Sequence, residues 1–249
     1  MNSIYLTNRG KVRRLNEDSC GVFYNKSGQM LATVADGMGG HAAGDVASSM
    51  TTSLLQKFWE ETDRIDTSEA AEQWLENHIT QVNENLYNHS QENVECKGMG
   101  TTVIAAICTP QFSSLAHIGD SRCYVLNMSG FKQITEDHSL VNELVRSGHI
   151  SREDAEHHPR KNVVIRALGT EPSVNMDLKT LILEEGDYLL ICSDGLSNKV
   201  SDNEMITILE NNLSIEQKGE HLIQLANDYG GEDNITLIII DFSSESEGE

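Results

Sequence analysis

Short runs of β-forming residues, many separated by only a few turn residues, restrict the fold of this chain more than any other sequence feature. Strands that follow one another so closely leave no room for a crossover helix between them, so they pair antiparallel. The sequence therefore predicts meanders of antiparallel strands. The runs cover residues 4–7, 20–24, 30–36, 101–108, 113–120, 122–126, 176–183, 187–192 and 235–242.

Helical patterns fall in two blocks that lie between groups of strands. Apolar residues repeat at helical spacing over about 42–60 and 68–92. Later in the chain, Ser201 and Ser214 stand where helix N-caps are expected, and Gly230 is placed to end the second of these helices. Strands and helices in separate blocks predict an α+β fold, with helices packed outside a mostly antiparallel sheet system.

The net charge and the cysteines exclude several classes of protein. Lys and Arg number 18 against 39 Asp and Glu, so the formal net charge is −21. A chain this acidic lacks the basic face that binds nucleic acid, and an anionic membrane surface repels it. The apolar runs are too short to span a bilayer, and the five cysteines form no C-x-x-C pair. We expect a cytoplasmic protein with reduced thiols, no nucleic-acid partner and no membrane insertion.

Aspartates recur where apolar runs meet turns. Taken singly, each is an ordinary turn residue. Several acids gathered at one rim would repel one another, and a divalent cation relieves that repulsion. An all-oxygen ligand set suits magnesium, manganese or calcium, and the missing D-x-D-x-D-G loop disfavours calcium. The residues are Asp36 in ADGMGG, Asp120 in IGDSR, Asp194 in CSDGL, Asp233 in GEDNIT, and Asp18 just before the strand at 20–24.

Other kinds of site find less support. The glycine-rich loop ADGMGGHAAGDVAS precedes a helix but has neither the lysine of a P-loop nor the G-x-G-x-x-G spacing. No G-x-S-x-G elbow is present, so serine hydrolase chemistry is disfavoured. The adjacent His157 and His158 lack zinc-ligand spacing.

Eight blocks, in order, resemble the metal-dependent protein phosphatases of the 2C class, above all their bacterial serine/threonine branch. They are RRLNEDS (13–19), VADGMGGHAAGDVAS (34–48), GMGTT (98–102), HIGDSRCY (117–124), TEDHSLVNELV (135–145), NVVIRALGT (162–170), LLICSDGLSNKV (189–200) and GGEDNIT (230–236). The resemblance implies a central β-sandwich of two antiparallel sheets flanked by helices, in four layers α-β-β-α. It also implies one catalytic domain over 1–243, a flap subdomain over about 138–168 and an acidic, disordered tail over 244–249.

The resemblance implies a metal site with two Mn²⁺ or Mg²⁺ ions. Asp36 matches the carboxylate that bridges both ions, and Gly37 matches the residue whose carbonyl binds one of them. Asp194 and Asp233 match the remaining direct ligands. Asp120, together with Asp194, matches the pair that holds a weaker third ion in bacterial members.

Two more positions carry roles by the same resemblance. Asp18, with Glu17 beside it, matches the acid that orients metal-bound water. Arg13 matches the arginine that grips the substrate phosphate, and the adjacent Arg14 stays open as a competitor. The implied reaction is hydrolysis of phosphoserine and phosphothreonine on cytoplasmic proteins, by direct attack of a water that bridges the two ions.

The expected partners are phosphorylated cytoplasmic proteins and a cognate serine/threonine kinase, and we expect a monomer. Two alternatives stay open. A noncatalytic binding module on the same fold would need a broken metal set, whereas Asp36, Asp194 and Asp233 are intact. A phosphatase of small molecules differs from the main interpretation only through the family resemblance.

One position departs from the wider family, and one segment has two interpretations. Eukaryotic members place a histidine, thought to be the general acid, where this chain has Met38. His41 could replace it or could simply begin the next helix, and metal-bound water is a third source of the proton. In the flap, we expect mobility. Its Arg152, Arg160 and Lys161 are either solvated surface or contacts for phosphoprotein substrates.

Overall fold

Two antiparallel sheets form the centre of the fold in the computed structural model, which describes residues 1–39 and 43–243. In the first sheet the spatial order is β1 (Asn2–Asn8), β11 (Ile235–Asp241), β10 (Tyr188–Cys192), β7 (Arg122–Asn127) and β8 (Gly130–Gln133). In the second sheet it is β2 (Asp18–Tyr24), β3 (Met30–Met38), β5 (Val103–Cys108), β6 (Ser113–Ile118) and β9 (Asp177–Leu181), with β4 (Gly100–Thr101) paired to the end of β3.

Helices cover the outer face of each sheet. The second sheet carries α1 (Ala43–Glu60) and α2 (Ser68–Glu92), followed by a 3-10 turn at Val94–Cys96. The first sheet carries α5 (Asp194–Ser197), α6 (Asp202–Glu210) and α7 (Ile215–Asp228). The four layers α-β-β-α expected from the sequence are therefore confirmed.

The central strands are apolar on both faces because each sheet packs against helices on one side and against the other sheet on the other side. Three hydrophobic layers therefore separate the four layers of helices and sheets. Successive residues of a strand point to opposite faces. On β5, Val103 packs under the helices of the second sheet while Ile104 packs between the two sheets. On β11, Leu237 packs under the helices of the first sheet and Ile238 packs between the sheets. This double burial explains why the strands read as continuous apolar runs rather than as alternating ones.

The flap segment leaves and rejoins the body of the protein at one place. The Leu140 N–H donates to the Val163 carbonyl at 2.8 Å, and the Ile165 N–H donates to the His138 carbonyl at 2.8 Å. Between these bonds lie two short helices, α3 (Leu140–Arg146) and α4 (Arg152–Glu156). Ser151 and Asp154 form a capping box at the start of α4.

Most sequence-predicted elements are confirmed, with three differences. The short strand β8 and the helical turn α5 were not predicted, and the run at 101–108 is divided between β4 and β5. All cysteines are free thiols, of which Cys20 is partly exposed and the other four are buried. Within residues 1–39 and 43–243, no helix combines the length and apolarity needed to cross a bilayer. His41 and the tail over 244–249 lie outside the described residues.

Candidate metal centre

Two neighbouring strands of the second sheet bring the first two acids together. Asp18 begins β2, and its partner in the antiparallel register is Asp36 near the end of β3. The Asp18 carboxylate accepts a hydrogen bond from the Ser193 hydroxyl at 2.8 Å. Because Ser193 directly follows β10 of the first sheet, this bond joins the two sheets at the same end of the sandwich.

Three more acids lie at turns around this pair. Asp120 follows β6, Asp194 follows β10 and opens α5, and Asp233 precedes β11. The negative charges of these three acids and of Asp18 all raise the pKa of Asp36. The fold therefore brings together every aspartate that the sequence singled out. We call this group the acid cluster: Asp18, Asp36, Asp120, Asp194 and Asp233.

Burial and mutual repulsion make the acid cluster a costly place for negative charge. Burial is the largest cause in each case, and it raises the pKa of Asp18 to about 7, of Asp120 to about 7 and of Asp194 to about 6. The pKa of Asp36 is raised well above its ordinary range by burial and then by its acidic neighbours. Without a cation, these carboxyl groups bind protons near neutral pH.

Glycine is required at two places where backbone segments meet behind the cluster. A Cβ atom at Gly37 would lie 2.0 Å from the Gly44 carbonyl oxygen, and the Gly37 N–H donates to the Glu17 carbonyl at 3.1 Å. A Cβ atom at Gly195 would lie 1.9 Å from the Asn234 carbonyl oxygen. The absence of a side chain lets the strand ends that carry Asp36 and Asp194 approach their neighbours closely.

Arg13 contacts the cluster, and the structure separates it from its neighbour Arg14. One terminal nitrogen of Arg13 donates to the Asp233 carboxylate at 2.7 Å, and the other lies 3.9 Å from Glu17. About half of the Arg13 side chain, 47%, stays exposed, so the guanidinium faces the mouth of the site. Arg14 is exposed and joins none of the ion pairs found among the described residues.

Asn234 is a positioning residue that the sequence analysis missed. Its side-chain oxygen accepts from the Glu17 N–H at 2.8 Å, and its nitrogen donates to the carbonyls of Arg9 and Leu15, both at 2.9 Å. This buried amide thus fixes both ends of the loop that carries Arg13. Its place directly after Asp233 was the available signal, but a side chain that binds distant backbone is visible only in the fold.

The donor set fits hard divalent cations. The cluster offers carboxylate oxygens only, and Arg13 is the cation in direct contact with it among residues 1–39 and 43–243. Arg122 lies nearby, but its guanidinium is already bound to Asp137 at 2.7 Å. The single charge of Arg13 does not balance the carboxylates of the cluster. All-oxygen sites of this kind suit Mg²⁺ or Mn²⁺.

The general acid expected in eukaryotic relatives has no counterpart on β3. Met38 ends this strand and is partly buried, and its thioether has no proton to donate. The alternative, His41, lies outside the described residues.

A second polar cluster, which the sequence did not suggest, lies below the turn that holds Asp120. Potential ligand atoms of His117, His138 and Asp177 lie within 4.8 Å of one another. However, the Gly119 N–H donates to His138 Nδ1 at 3.1 Å, so the neutral ring carries its proton on Nε2. That nitrogen faces the Asp177 carboxylate at 3.3 Å.

This arrangement disfavours a metal ion at the histidine cluster. Arg166 already lies 3.4 Å from Asp177 and 3.2 Å from His138 Nε2. His117 stacks on His138 with ring centroids 4.7 Å apart, and burial lowers the pKa of His117 to about 3. The group is better explained as a neutral support, in which His138 holds the Gly119 turn through both its side chain and its backbone N–H.

Comparison with known proteins gives matches over nearly the whole chain. The family profile described as Protein phosphatase 2C matches residues 9–235. The serine/threonine phosphatase stp of Listeria welshimeri is 47% identical over 241 residues, covering 97% of this chain and 96% of that protein. The crystal structure of Stp1 from Staphylococcus aureus has a TM-score of 0.93 at 42% identity, covering 97% of this chain and 95% of that one. The PstP catalytic domain crystallised with 2 manganese ions has a TM-score of 0.85 at 32% identity, covering 98% of both chains.

Proposed function

This chain belongs to the protein phosphatase 2C family, and from that premise we propose that it is a metal-dependent phosphatase of phosphoserine and phosphothreonine in proteins. The observation that carries the proposal is the acid cluster, in which buried carboxylates from both sheets converge beside a half-exposed arginine. Related proteins that are named serine/threonine phosphatases support the substrate class.

The metal ligands in this proposal follow the family pattern. Asp36, the Gly37 carbonyl, Asp194 and Asp233 would hold two Mn²⁺ or Mg²⁺ ions, and Asp120 with Asp194 would hold a weaker third. When bound, such ions lower the pKa of a shared water molecule and neutralise charge on the phosphoryl oxygens. The related PstP structure, which contains 2 manganese ions, supports a site for two such ions.

The chain's own residues supply orientation and positive charge. The Ser193 hydroxyl holds one carboxylate oxygen of Asp18, which keeps that side chain directed into the site, where it would orient the attacking water. Arg13 donates through one nitrogen to Asp233, and its other terminal nitrogen lies 3.9 Å from Glu17, too far for a hydrogen bond. Its remaining N–H groups can therefore bind phosphoryl oxygens in the bidentate manner typical of guanidinium groups. We assign no side chain as the general acid that protonates the leaving seryl or threonyl oxygen.

The remaining parts of the proposal concern organisation and partners. We place the catalytic unit over 1–243 as a single domain with its flap at about 138–168. Its substrates are phosphorylated cytoplasmic proteins, and it opposes a serine/threonine kinase as a monomer. Similarity to a bacterial phosphatase over almost the full length of each chain supports the single-domain part of this proposal.

A panel of phosphopeptides tests the function. Peptides carrying phosphoserine, phosphothreonine or phosphotyrosine are incubated with the protein in Mn²⁺, Mg²⁺, Ca²⁺ or EDTA, and released phosphate is measured. We expect turnover of the first two peptides with Mn²⁺ or Mg²⁺ and none in EDTA. Activity that survives chelation contradicts the metal assignment, and turnover of phosphotyrosine alone contradicts the substrate class.

A further inference from the structure

A large groove opens directly beside the acid cluster. Its volume is about 820 Å³, and its lining runs from Asp120 and Asp194 to residues of β8, α3 and α4. Pockets of about 300–1,000 Å³ hold ligands as large as a drug molecule, so this space can take several residues of an extended peptide. We call it the flap groove; its lining includes Lys132, Val145, Arg152 and Lys161.

The flap groove carries unpaired positive charge. Within the part of the chain that the structure describes, Lys132, Arg152 and Lys161 make no ion pair, although all three line the groove. Glu136 also lines it and opposes their charge. Lys and Arg residues of the lining number four, as do its Asp and Glu residues, so the groove is far less acidic than the chain as a whole, whose net charge is −21.

A further acid of the groove wall, Asp137, is already neutralised. It receives three bonds from the Arg122 guanidinium, at 3.0, 3.1 and 2.7 Å, and a fourth from the Gln133 side chain at 3.0 Å. The Asn142 side chain donates to the Asp137 carbonyl at 2.8 Å. These bonds fix Asp137 in the groove wall and leave the three unpaired cations available to a ligand.

The wall that carries Arg152 is also organised. The Ser151 hydroxyl accepts from the Asp154 N–H at 3.0 Å and donates to the Asp154 carboxylate at 2.6 Å, which fixes the start of α4. Arg152 is the first residue of this helix. Arg160 lies in the same segment but does not line the groove, so the structure separates the three flap cations into two inside and one outside.

We propose that the flap groove binds a second anionic group of the substrate peptide, either a carboxylate or another phosphoryl group, while Arg13 and the ions that the acid cluster would hold bind the phosphate that is cleaved. The proposal rests on the proposed function. Asp120 and Asp194 connect the groove to the acid cluster, whereas the unpaired Lys132, Arg152 and Lys161 attract an anion elsewhere along its lining. A peptide that carries a second anion near its phosphoserine can therefore contact both the metal centre and these cations.

Three matched phosphoserine peptides test this proposal. One has neutral flanking residues, one has a glutamate and one has a second phosphoserine, and each added anion is scanned on both sides of the central residue. The measured quantity is the ratio of kcat/KM for each anionic peptide to that of the neutral peptide. We expect a ratio of about ten at the best position, which corresponds to about 1.4 kcal/mol. Whichever anionic peptide has the higher ratio identifies the preferred group.

Variants locate the effect. Arg152→Gln combined with Lys161→Gln should bring the ratio close to one, whereas Arg160→Gln and the distant Lys57→Gln should retain it. Thermal melting verifies that each variant is folded. Equal turnover of all peptides by the unchanged protein overturns the proposal, as does a ratio that persists in the double variant.

Failure of the proposed function is recognised separately, because the neutral peptide alone measures it. If no peptide is hydrolysed, binding of the fluorescently labelled peptides in the presence of Mn²⁺ still compares anionic with neutral flanks. Equal binding then overturns the groove proposal, and tighter binding of the anionic peptides, lost in the double variant, supports it.

Discussion

The acid cluster and the flap groove share one opening but hold their charges by different means. The acids are attached to the ends of sheet strands, as Asp18 and Asp36 are in the paired strands β2 and β3. The groove cations are attached to a short strand, a loop and the five-residue helix α4. Charges that repel one another in a buried place need a rigid sheet to hold them, whereas solvated charges of one sign can be carried on lightly packed elements.

The two regions also differ in their cost to the fold. Each buried carboxylate of the cluster destabilises the metal-free protein when it is ionised, because burial and its neighbours oppose the charge. The exposed groove cations keep most of their hydration, so they cost little. The comparison therefore predicts that changes in the cluster alter both activity and stability, while changes in the flap stay local.

The largest expected effect is that of Asp36→Asn. Loss of the central carboxylate should lower Mn²⁺-dependent turnover of a phosphoserine peptide by about a thousandfold or more. The same change should raise the melting temperature in EDTA, since one of several repelling charges is removed. Asp63→Asn, on an exposed side chain, is the control for both measurements. A variant that loses activity and also melts lower in EDTA contradicts the picture of a cluster under electrostatic strain.

A smaller effect should separate the two neighbouring arginines. Arg13→Gln is expected to lower kcat/KM for the same peptide by about a hundredfold, because the bidentate phosphate contact is lost. Arg14→Gln should change it by no more than about twofold, as is usual for an exposed side chain outside the site. The reverse order of the two effects would move the phosphate contact from Arg13 to Arg14.

The pH dependence of stability should differ between the metal-free and metal-loaded protein. In the folded protein the pKa is about 7 for Asp18 and Asp120 and about 6 for Asp194, against an ordinary value of 3.8. Between these pH values the three carboxyl groups of the folded protein keep protons that the unfolded chain has already released. Their contribution to the free energy of unfolding therefore falls as pH rises from about 4 to 7. His117, with a pKa near 3 against 6.5, acts in the opposite direction, losing stability as pH falls below 6.5.

Burial also raises the pKa of Asp36 and lowers that of His138. Because four carboxyl groups outweigh two histidines, we expect the protein in EDTA to unfold at a lower urea concentration at pH 7.5 than at pH 5.5. Saturating Mn²⁺ should raise the midpoint most at pH 7.5, since it stabilises the ionised carboxylates. If the urea midpoint in EDTA is higher at pH 7.5 than at pH 5.5, the acid cluster does not dominate the pH dependence of stability.

The smallest effect compares the same capping box in two places. Ser151→Ala removes the cap of α4 and should speed amide exchange over 152–156 about fivefold, with an unchanged melting temperature, because one cap contributes about 1 kcal/mol. Ser201→Ala removes the equivalent cap of α6, whose Met205 and Leu209 are buried in the core, and should lower the melting temperature of the whole protein. Equal effects of the two changes would show that the flap unfolds together with the sandwich.

Local sequence signals were sufficient for most of the fold and failed where the signal was short or polar. The runs that became β3, β5 and β11 are apolar because each strand is buried on both faces. The strand β8, with the sequence GFKQ, has too few apolar residues to be recognised alone. It forms because its backbone pairs with β7, and Phe131 stacks on Tyr124 with ring centroids 4.9 Å apart.

The sequence by itself determined the antiparallel α+β architecture and the aspartates at the strand ends, because periodicity and turn residues are local properties of a chain. Tertiary structure alone decided which groups meet. It brought Arg13 rather than Arg14 to Asp233, and it brought His138 beneath the Gly119 turn. Contacts between residues far apart in the chain depend on strand register and sheet packing, and no short window of sequence contains that information.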